Sequence, residues 1–253
     1  MQTSPPTVFV RNATLSFQGT LLFNNLNLTL RAGEWTCLLG ASGVGKSTLL
    51  RLIANLIPMS TPDGADMTCD NAIPLASQIA YMGQADLLLP WLSVLDNVLL
   101  GARLRGKKLS PMLKNKARDL LIQANLRKAL ALYPHQLSGG MRQRVALVRT
   151  LMEEKPIVLM DEPFSALDTI TRLTLQTLAA KLLKNRTVLF VTHDPLEALR
   201  LANKIYVMYG EPVTLYSPFD LNSLTPRDPY DTEVLARQAD LFRELEKVYA
   251  GNL

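Results

Sequence analysis

Residues 40–47, Gly-Ala-Ser-Gly-Val-Gly-Lys-Ser, constrain the fold of this 253-residue chain more than any other segment. They fit the pattern G-x-x-x-x-G-K-[ST], in which a glycine-rich loop joins a buried strand to a helix. Residues 36–39 before the loop predict that strand, and residues 47–54 after it predict the helix. The glycines let successive N–H groups point at an anion, and the helix N-terminus adds partial positive charge. The segment therefore predicts a phosphate-binding loop in an α/β protein.

Two residues of this loop have distinct expected roles in binding a nucleotide. Lys46 is expected to reach the β- and γ-phosphates, and the Ser47 hydroxyl is expected to ligate Mg²⁺. A chance glycine-rich turn is the alternative, but it does not account for the strand and the helix on either side. The nucleotide-binding residues expected in this segment are Gly40, Ala41, Ser42, Gly43, Val44, Gly45, Lys46, Ser47 and Thr48.

Length and composition limit the classes of protein to which the chain can belong. With 253 residues, 48% of them hydrophobic, the chain can bury one substantial core, which fits a soluble α/β protein. No stretch approaches the roughly 20 apolar residues that span a bilayer, and residues 1–6 do not resemble a secretory signal. Cys37 and Cys69 lie far apart in the sequence, so we expect a core thiol, an incidental thiol and no disulfide.

The formal charge of +5 is unevenly distributed along the chain. Residues 211–253 carry eight acids and four bases, whereas residues 103–118 carry seven bases and no acid. A solvated helix face is the usual explanation for such a run of bases, and proximity to an anionic membrane surface is the second. Because no aromatic residue interleaves the bases, we do not expect nucleic acid as a partner.

Strand and helix patterns predict an α/β core with an inserted helical segment. Short apolar runs predict strands at 8–10, 26–30, 36–39, 78–82, 157–160, 187–191 and 205–208. The last three are continuously apolar, as parallel strands covered on both faces are. The expected organisation is a single domain over 1–253, with its nucleotide-binding core at 1–84 and 141–210, a helical subdomain at 85–140 and a short helical tail at 211–253.

Two carboxylates, Asp161 and Glu162, follow the apolar run 157–160. Ligands bind at the carboxyl ends of strands in open α/β sheets, which favours a catalytic role over a solvated pair of acids. Asp161 is expected to hold Mg²⁺ directly or through water, and Glu162 to polarise the water that attacks the γ-phosphate. Because proline disfavours helical angles in the residue before it, Pro163 predicts an extended backbone at Glu162.

His193 and Gln84 each follow a predicted strand. Alone, the histidine would more often be a hydrogen-bonded structural residue, and the glutamine could equally be a surface amide. Beside a nucleotide site, His193 is expected to contact the γ-phosphate, and the Gln84 amide to reach both Mg²⁺ and the attacking water.

Residues 137–144, Leu-Ser-Gly-Gly-Met-Arg-Gln-Arg, predict a second anion-binding helix end. Gly139 and Gly140 leave N–H groups exposed at the start of a helix, and the Ser138 hydroxyl lies beside them. An ordinary helix cap is the alternative. Lys46 already binds one γ-phosphate. The simplest arrangement is therefore a symmetric pair of chains, in which this helix end of each chain, the second cradle, binds the nucleotide held by its partner.

The motifs GASGVGKST, LSGGMRQR, IVLMDE and SALD, with Gln84 and His193, resemble the ATP-binding subunit of an ABC transporter over roughly residues 8–210. The resemblance implies a P-loop NTPase with a RecA-like core, an N-terminal antiparallel β-subdomain and an inserted helical subdomain. It also implies ATP and Mg²⁺ between two such subunits in a head-to-tail dimer, with residues 138–140 contacting the γ-phosphate across the interface.

Two further residues take their expected roles from this resemblance alone. Asp168, in the SALD motif, is expected to link the two ATP sites. The family stacks adenine on an aromatic residue near the N-terminus, commonly tyrosine, and Phe17 is the best match here. A phenylalanine keeps the stacking surface but lacks the hydroxyl.

Finer sequence details resemble one importer branch. LPWLSVLDN, GGMRQRVALVRTL, LMDEPFSALD and VTHDPLEAL are similar to ATPases for nitrate, taurine, alkanesulfonates and thiamine-related pyrimidines. This implies a homodimer at the cytoplasmic face of the plasma membrane, bound to separate permease subunits and served indirectly by a solute-binding protein. An exporter or lipoprotein-extraction ATPase is the alternative. A soluble ABC ATPase acting on DNA or ribosomes fits less well, because the chain lacks the coiled-coil insertion or second ATPase domain of those proteins.

Residues 87–95, Leu-Leu-Leu-Pro-Trp-Leu-Ser-Val-Leu, carry more large apolar side chains than a surface loop should. Pro90 interrupts any regular helix in this stretch. Burial within the helical subdomain is one explanation. We favour the other, in which part of this stretch, which includes Trp91, lines a groove that receives a short cytoplasmic helix of the membrane subunit.

Overall fold

The computed structural model of the protein describes residues 4–17, 19–58, 66–221 and 223–250. Its strands are β1 (Val8–Phe17), β2 (Thr20–Leu30), β3 (Trp35–Gly40), β4 (Asp66–Cys69), β5 (Ile79–Met82), β6 (Ile157–Asp161), β7 (Thr187–Thr192), β8 (Lys204–Tyr209) and β9 (Thr214–Asp220). Its α-helices are α1 (Lys46–Ile53), α2 (Val94–Val98), α3 (Leu100–Leu104), α4 (Pro111–Gln123), α5 (Gly139–Leu151), α6 (Thr169–Leu182), α7 (Pro195–Leu201) and α8 (Thr232–Ala250). Each apolar run that predicted a strand overlaps one of these strands.

The described residues divide into two compact units. The first unit comprises those of Met1–Ile79, Pro156–Glu162 and Asn185–Leu253, and the second comprises Ala80–Lys155 and Pro163–Lys184. The division drawn from the sequence assigned residues 141–210 to the core. In the structure α5 and α6 group with the second unit instead, and α5 packs there against α2 and α4.

Two sheets form the first unit. In the first sheet β1 lies between β2 and β4 and is antiparallel to both. The second sheet has the order β6-β7-β3-β8-β9 within this unit, with β9 antiparallel to β8 and the other neighbours parallel. Strands β3, β6 and β7 are buried along their whole length, as parallel strands covered on both faces must be.

The strand register brings three carboxyl ends to one edge of the second sheet. Leu39 of β3 pairs with Thr192 of β7, and Asp161 of β6 pairs with Val191 of β7. Because β7 lies between the other two strands, the residues that follow β3, β6 and β7 leave the sheet side by side.

Helices of the second unit begin at residues that cap them. The Ser93 hydroxyl accepts a hydrogen bond from the N–H of Asp96 at the start of α2. Ser110 does the same for the N–H of Leu113 in α4, which has proline at its first position, where no intrahelical N–H bond is lost. The unit's apolar core includes buried residues of α4 and α5, among them Ala117, Leu120, Leu121, Val145, Leu147 and Val148.

The C-terminal segment contains a strand as well as the helix expected there. Strand β9 lies at the edge of its sheet and includes Pro218, a residue that interrupts a strand pattern in the sequence but is tolerated at an edge. In α8, Val234 and Leu241 are buried and Leu235 and Phe242 are about half exposed, and the helix packs against α7 and β8. Neither α8 nor any other described helix has the combination of length and apolar content needed to cross a membrane.

Candidate active site

The phosphate loop needs glycine for two different reasons. Gly43 and Gly45 have φ angles of +85° and +103°, a region that residues with a Cβ rarely adopt. Gly40 has no such angle, but a Cβ there would lie 2.8 Å from the carbonyl oxygen of Met208 on β8. Gly40 therefore permits the close approach of β8, whereas the sequence had suggested that all three glycines bend the loop.

Lys46 is the first residue of α1, and its side chain is almost fully buried beside the loop. Its Nζ atom donates hydrogen bonds to the carbonyl oxygens of Gly40 and Ala41, both at 2.8 Å. Burial lowers the pKa of Lys46, while the nearby carboxylates of Glu162 and Asp161 act in the opposite direction. The ammonium group thus lies at the start of the loop, where an anion entering the loop would meet it.

Ser47 and Asp161 connect the helix after the loop to the end of β6. The Ser47 hydroxyl donates to Oδ1 of Asp161 at 2.8 Å. The other carboxylate oxygen, Oδ2, is buried and has no hydrogen-bond partner among the described residues. Burial raises the pKa of Asp161, an effect partly offset by the Ser47 hydrogen bond and by the charge of Arg51. A buried, unpartnered carboxylate oxygen is costly, and a hard cation that takes oxygen ligands would satisfy it. The pair therefore fits Mg²⁺.

Glu162 does not have the extended backbone that Pro163 led us to expect. Its φ angle is +50°, in the left-handed region that costs a residue with a Cβ about 1–2 kcal/mol. Two contacts to the end of β7 accompany this angle: the Glu162 N–H donates to the carbonyl oxygen of Val191 at 3.1 Å, and the carboxylate meets His193. These tertiary contacts outweigh the local preference, and they place backbone strain at the residue expected to act as the base.

His193 and Glu162 form a close pair at the sheet edge. Nδ1 of His193 lies 3.0 Å from Oε1 and 2.9 Å from Oε2 of Glu162. Because a carboxylate only accepts hydrogen bonds, Nδ1 carries the proton in this contact. The Glu162 side chain is 11% exposed, whereas that of His193 is 59% exposed. The imidazole therefore holds the carboxylate and keeps much of its own surface accessible to a ligand.

The predicted second cradle lies in the second unit, at the start of α5. Ser138 is the N-cap, and its hydroxyl accepts from the N–H of Met141 at 3.3 Å. Gly139 and Gly140 occupy the first turn, whose N–H groups have no partner inside a helix. Ser138 is thus the helix cap that the sequence left open as an alternative, and the glycine N–H groups fit an anion.

Asp168 is the N-cap of α6 in the same unit. Its carboxylate accepts from the N–H of Thr171 at 3.0 Å, and this hydrogen bond lowers the pKa of Asp168.

Gln84 is exposed and lies two residues after the end of β5. Phe17 is the last residue of β1, and its side chain lies outside what the structure describes.

A buried asparagine, not anticipated from the sequence, holds the loop that follows β5. Asn97 is fully buried. Its amide oxygen accepts from the N–H of Leu89 at 2.8 Å, and its amide nitrogen donates to the carbonyl oxygens of Leu89, Leu92 and Ser93 at 3.0 to 3.1 Å. An asparagine flanked by the apolar residues 94–95 and 98–100 was the signal that could have revealed these hydrogen bonds.

Two arginines of α5 hold the beginning of the same loop. Arg149 donates to the carbonyl oxygens of Asp86 and Leu87, both at 2.7 Å. Arg142 donates from Nε to Oδ2 of Asp86 at 2.9 Å. Helix α5, which Ser138 caps, is therefore joined directly to the loop after Gln84, within a single compact unit.

Held in this way, the loop presents two large apolar side chains to solvent. Trp91 is 69% exposed and Leu87 is 65% exposed, whereas Leu88 is buried. Burial of Trp91 in the core, the first explanation considered from the sequence, does not describe this structure.

Comparison with known proteins identifies the family of the chain. A family model described as ABC transporter matches residues 23–165. The chain is 43% identical over 242 residues to an ABC transporter ATP-binding protein of Haemophilus influenzae, covering 94% of this chain and 98% of that protein. It is 37% identical over 227 residues to the aliphatic sulfonates import ATP-binding protein SsuB 1 of Rhodococcus jostii, covering 89% and 87% of the two chains.

A solved structure extends the comparison to the fold and to the reaction. It is a dimeric ATP-binding cassette in a post-hydrolysis state, bound to ADP and Pi. It matches with a TM-score of 0.75 and 29% identity, covering 86% of this chain and all of that one. The resemblance and the P-loop NTPase fold predicted from the motifs are thereby confirmed. The chain belongs to the ABC transporter family and is one of its ATP-binding, ATP-hydrolysing cassettes.

Proposed function

We propose that this chain is the ATPase subunit of an importer and drives uptake of a small solute through separate membrane subunits. One observation carries the assignment of roles: Lys46, Ser47, Asp161, Glu162 and His193 meet at one edge of one sheet. Asp161 and Glu162 lie at the end of β6, His193 follows β7, and Lys46 and Ser47 begin the helix after β3, so the buried strands of the core set their spacing. Family membership supports ATP as the substrate.

The loop and its helix bind the terminal phosphates of ATP. Backbone N–H groups of residues 41–48 and the Lys46 ammonium supply positive charge, and the left-handed angles at Gly43 and Gly45 orient the loop. Ser47 and Asp161 would hold Mg²⁺, which would neutralise charge on the β- and γ-phosphates. The unpartnered oxygen of Asp161 supports this assignment.

Glu162 acts as the general base for hydrolysis. Its carboxylate orients the attacking water and accepts the proton that this water loses. His193 has two tasks in this proposal: its Nδ1–H fixes the direction of the carboxylate, and its exposed ring surface contacts the γ-phosphate. The strained backbone at Glu162 is consistent with a residue held for function rather than for stability.

A second copy of the chain completes each ATP site. The N–H groups of Gly139 and Gly140, with Ser138 beside them, bind the γ-phosphate held by the partner's loop, since one chain's loop already surrounds its own nucleotide. Asp168 links the two sites, and Phe17 stacks on adenine. A solved cassette of the same family is a dimer, which supports this arrangement.

Import is the direction we favour, with a solute of the nitrate, sulfonate, taurine or pyrimidine-precursor type. The similarity to an aliphatic sulfonate import protein supports it. The chain would then work as a peripheral subunit at the cytoplasmic face of the plasma membrane, together with permease subunits. A solute-binding protein would act indirectly, through the permease.

The loop of residues 86–93 is the surface we propose for permease docking. Asn97 and Arg149 fix its backbone through hydrogen bonds to main-chain carbonyl oxygens. Trp91 and Leu87 therefore remain exposed on a rigid support. Exposed aromatic residues on a fixed backbone are suited to anchoring a partner helix, because little order is lost on binding.

Substitution of Lys46 and of Glu162 should separate ATP binding from ATP hydrolysis. Lys46→Ala removes the cation paired with the terminal phosphates and should weaken nucleotide binding. Glu162→Gln keeps the shape of the side chain but cannot take a proton, so it should bind ATP normally and lose about 10²–10⁴-fold in turnover. Nucleotide titration and Mg²⁺-dependent phosphate release measure the two effects. A normal hydrolysis rate for Glu162→Gln in the assembled transporter would show that the base is another group.

Removing the charge of Asp161 should stabilise the nucleotide-free protein and abolish its response to Mg²⁺. Asp161→Asn eliminates a buried carboxylate with an unpartnered oxygen, so the melting temperature should rise without ligand. Adding ADP with Mg²⁺ should then raise the melting temperature of the wild type far more than that of the variant. Asp220→Asn, at a half-exposed acid, is the matched control. Equal stabilisation of wild type and Asp161→Asn by Mg²⁺ would contradict the metal assignment.

Truncation of Trp91 should weaken permease association and leave the isolated subunit intact. An aromatic anchor is worth about 2 kcal/mol, so Trp91→Ala should lower the affinity roughly 30-fold. Because the side chain is exposed, folding and ATP binding should not change. Leu104→Ala, which truncates another exposed side chain of the same unit, is the control. Co-purification of permease subunits at the wild-type level with Trp91→Ala would place the docking surface elsewhere.

A further inference from the structure

We propose that Thr192 is a positioning residue for ATP hydrolysis, which rests on the function proposed for Glu162 and His193. Its hydroxyl and the carboxylate of Glu197 fix the turn between β7 and α7. This turn determines the position of His193, and His193 then determines the direction of the Glu162 carboxylate.

The Thr192 hydroxyl makes two hydrogen bonds inside the protein. Thr192 is the last residue of β7 and is 1% exposed. Its Oγ1 donates to Oε2 of Glu197 at 2.7 Å and accepts from the N–H of Asp194 at 3.0 Å. One hydroxyl therefore binds the backbone N–H of Asp194, just after His193, and a side chain in the first turn of the helix that follows.

Asp194 extends this set of bonds into α7. It is the N-cap of the helix, and its Oδ1 accepts from the N–H of Leu196 at 2.9 Å. Glu197 follows in the same helix and returns to Thr192. The bonds form a closed ring that includes residues 192, 194 and 197, and His193 lies inside the turn that the ring defines.

The position of His193 depends on these hydrogen bonds, because packing alone does not hold its imidazole in place. More than half of its side chain is exposed, so the position of the imidazole follows from its backbone. Its contacts with Glu162 are 2.9 and 3.0 Å long, and a shift of about 1 Å would exceed hydrogen-bond distance. The residue before Thr192 matters as well, since the Val191 carbonyl accepts from the N–H of Glu162. Thr192 thus lies between Val191 and His193, the two residues that hold Glu162.

The burial of Glu197 supports a specific role for the contact. Glu197 is 4% exposed in a helix that packs against β3 and β7. A carboxyl group in such a place is costly unless it is hydrogen-bonded, and an apolar residue would serve the packing. Its charge is among the causes that raise the pKa of the Cys37 thiol, after burial itself. Glu197 therefore lies close to β3, the strand that leads into the phosphate loop.

Another threonine of the same strand provides a matched control. Thr187, the first residue of β7, is fully buried. Its hydroxyl donates to the carbonyl oxygen of Pro6 at 2.7 Å and accepts from the N–H of Gly33 at 3.1 Å. Thr187→Val and Thr192→Val therefore remove the same group, with one donated and one accepted bond, from opposite ends of one strand. Only the second removal is at the end that carries His193.

The test compares steady-state ATP hydrolysis and melting temperatures of purified protein in the presence of Mg²⁺. Thr192→Val should lower kcat about ten- to hundredfold and leave KM for ATP within about twofold, because phosphate binding by the loop is unchanged. Thr192→Ser, which keeps the hydroxyl, should restore most of kcat. Thr187→Val should lower the melting temperature about as much as Thr192→Val does, because both lose the same two kinds of hydrogen bond. It should keep kcat near that of the wild type.

A double variant distinguishes positioning of His193 from a general loss of structure. If Thr192 acts through His193, then Thr192→Val combined with His193→Ala should be no slower than His193→Ala alone. Additive losses would overturn the inference, as would equal kcat values for Thr187→Val and Thr192→Val. Should Thr192→Val fail to fold, Glu197→Gln against Glu197→Met provides the same comparison, because only glutamine retains an acceptor oxygen. Normal hydrolysis by His193→Ala would instead contradict the function proposed for His193 itself.

Discussion

The candidate site depends above all on the parallel register of β7 between β6 and β3. This register puts Asp161 opposite Val191 and Leu39 opposite Thr192. The acids after β6, the histidine after β7 and the loop that begins at the end of β3 therefore leave the sheet at one edge. Because the three strands are buried along their length, the core of the first unit determines the distances within the site.

Several groups at this edge are held in states that cost free energy. The Lys46 ammonium is buried, one oxygen of Asp161 is buried without a partner, and Glu162 has a left-handed backbone angle. In the proposed function, ligands relieve the first two of these costs, since an ATP phosphate pairs with the lysine and Mg²⁺ pairs with the aspartate. A ligand that relieves such costs stabilises the folded state in proportion to its affinity. The site is therefore arranged for binding at the expense of the stability of the free chain.

The sequence predicted the parts of the site that depend on local pattern. The glycine loop and the buried strands could be located because their signals span few residues, and the motifs led to the correct family and fold. The angle at Glu162 could not be predicted, because contacts with Val191 and His193 override the rule for a residue before proline. The role of Gly40 was also hidden, since it depends on how closely β8 approaches. The hydrogen bonds from Arg149 to the loop after Gln84 could not be predicted either, because they join residues more than sixty positions apart.

The central claim is that two copies of this chain complete each other's ATP sites, and a mixture of two inactive variants tests it most directly. Lys46→Ala disables the loop, and Ser138→Arg blocks the cradle offered to the partner. A dimer with one chain of each kind concentrates both defects in one site and leaves the other site intact. ATP retained by the protein after rapid desalting should therefore appear in the mixture and be absent from either variant alone. A mixture that retains no more ATP than the separate variants would contradict the account.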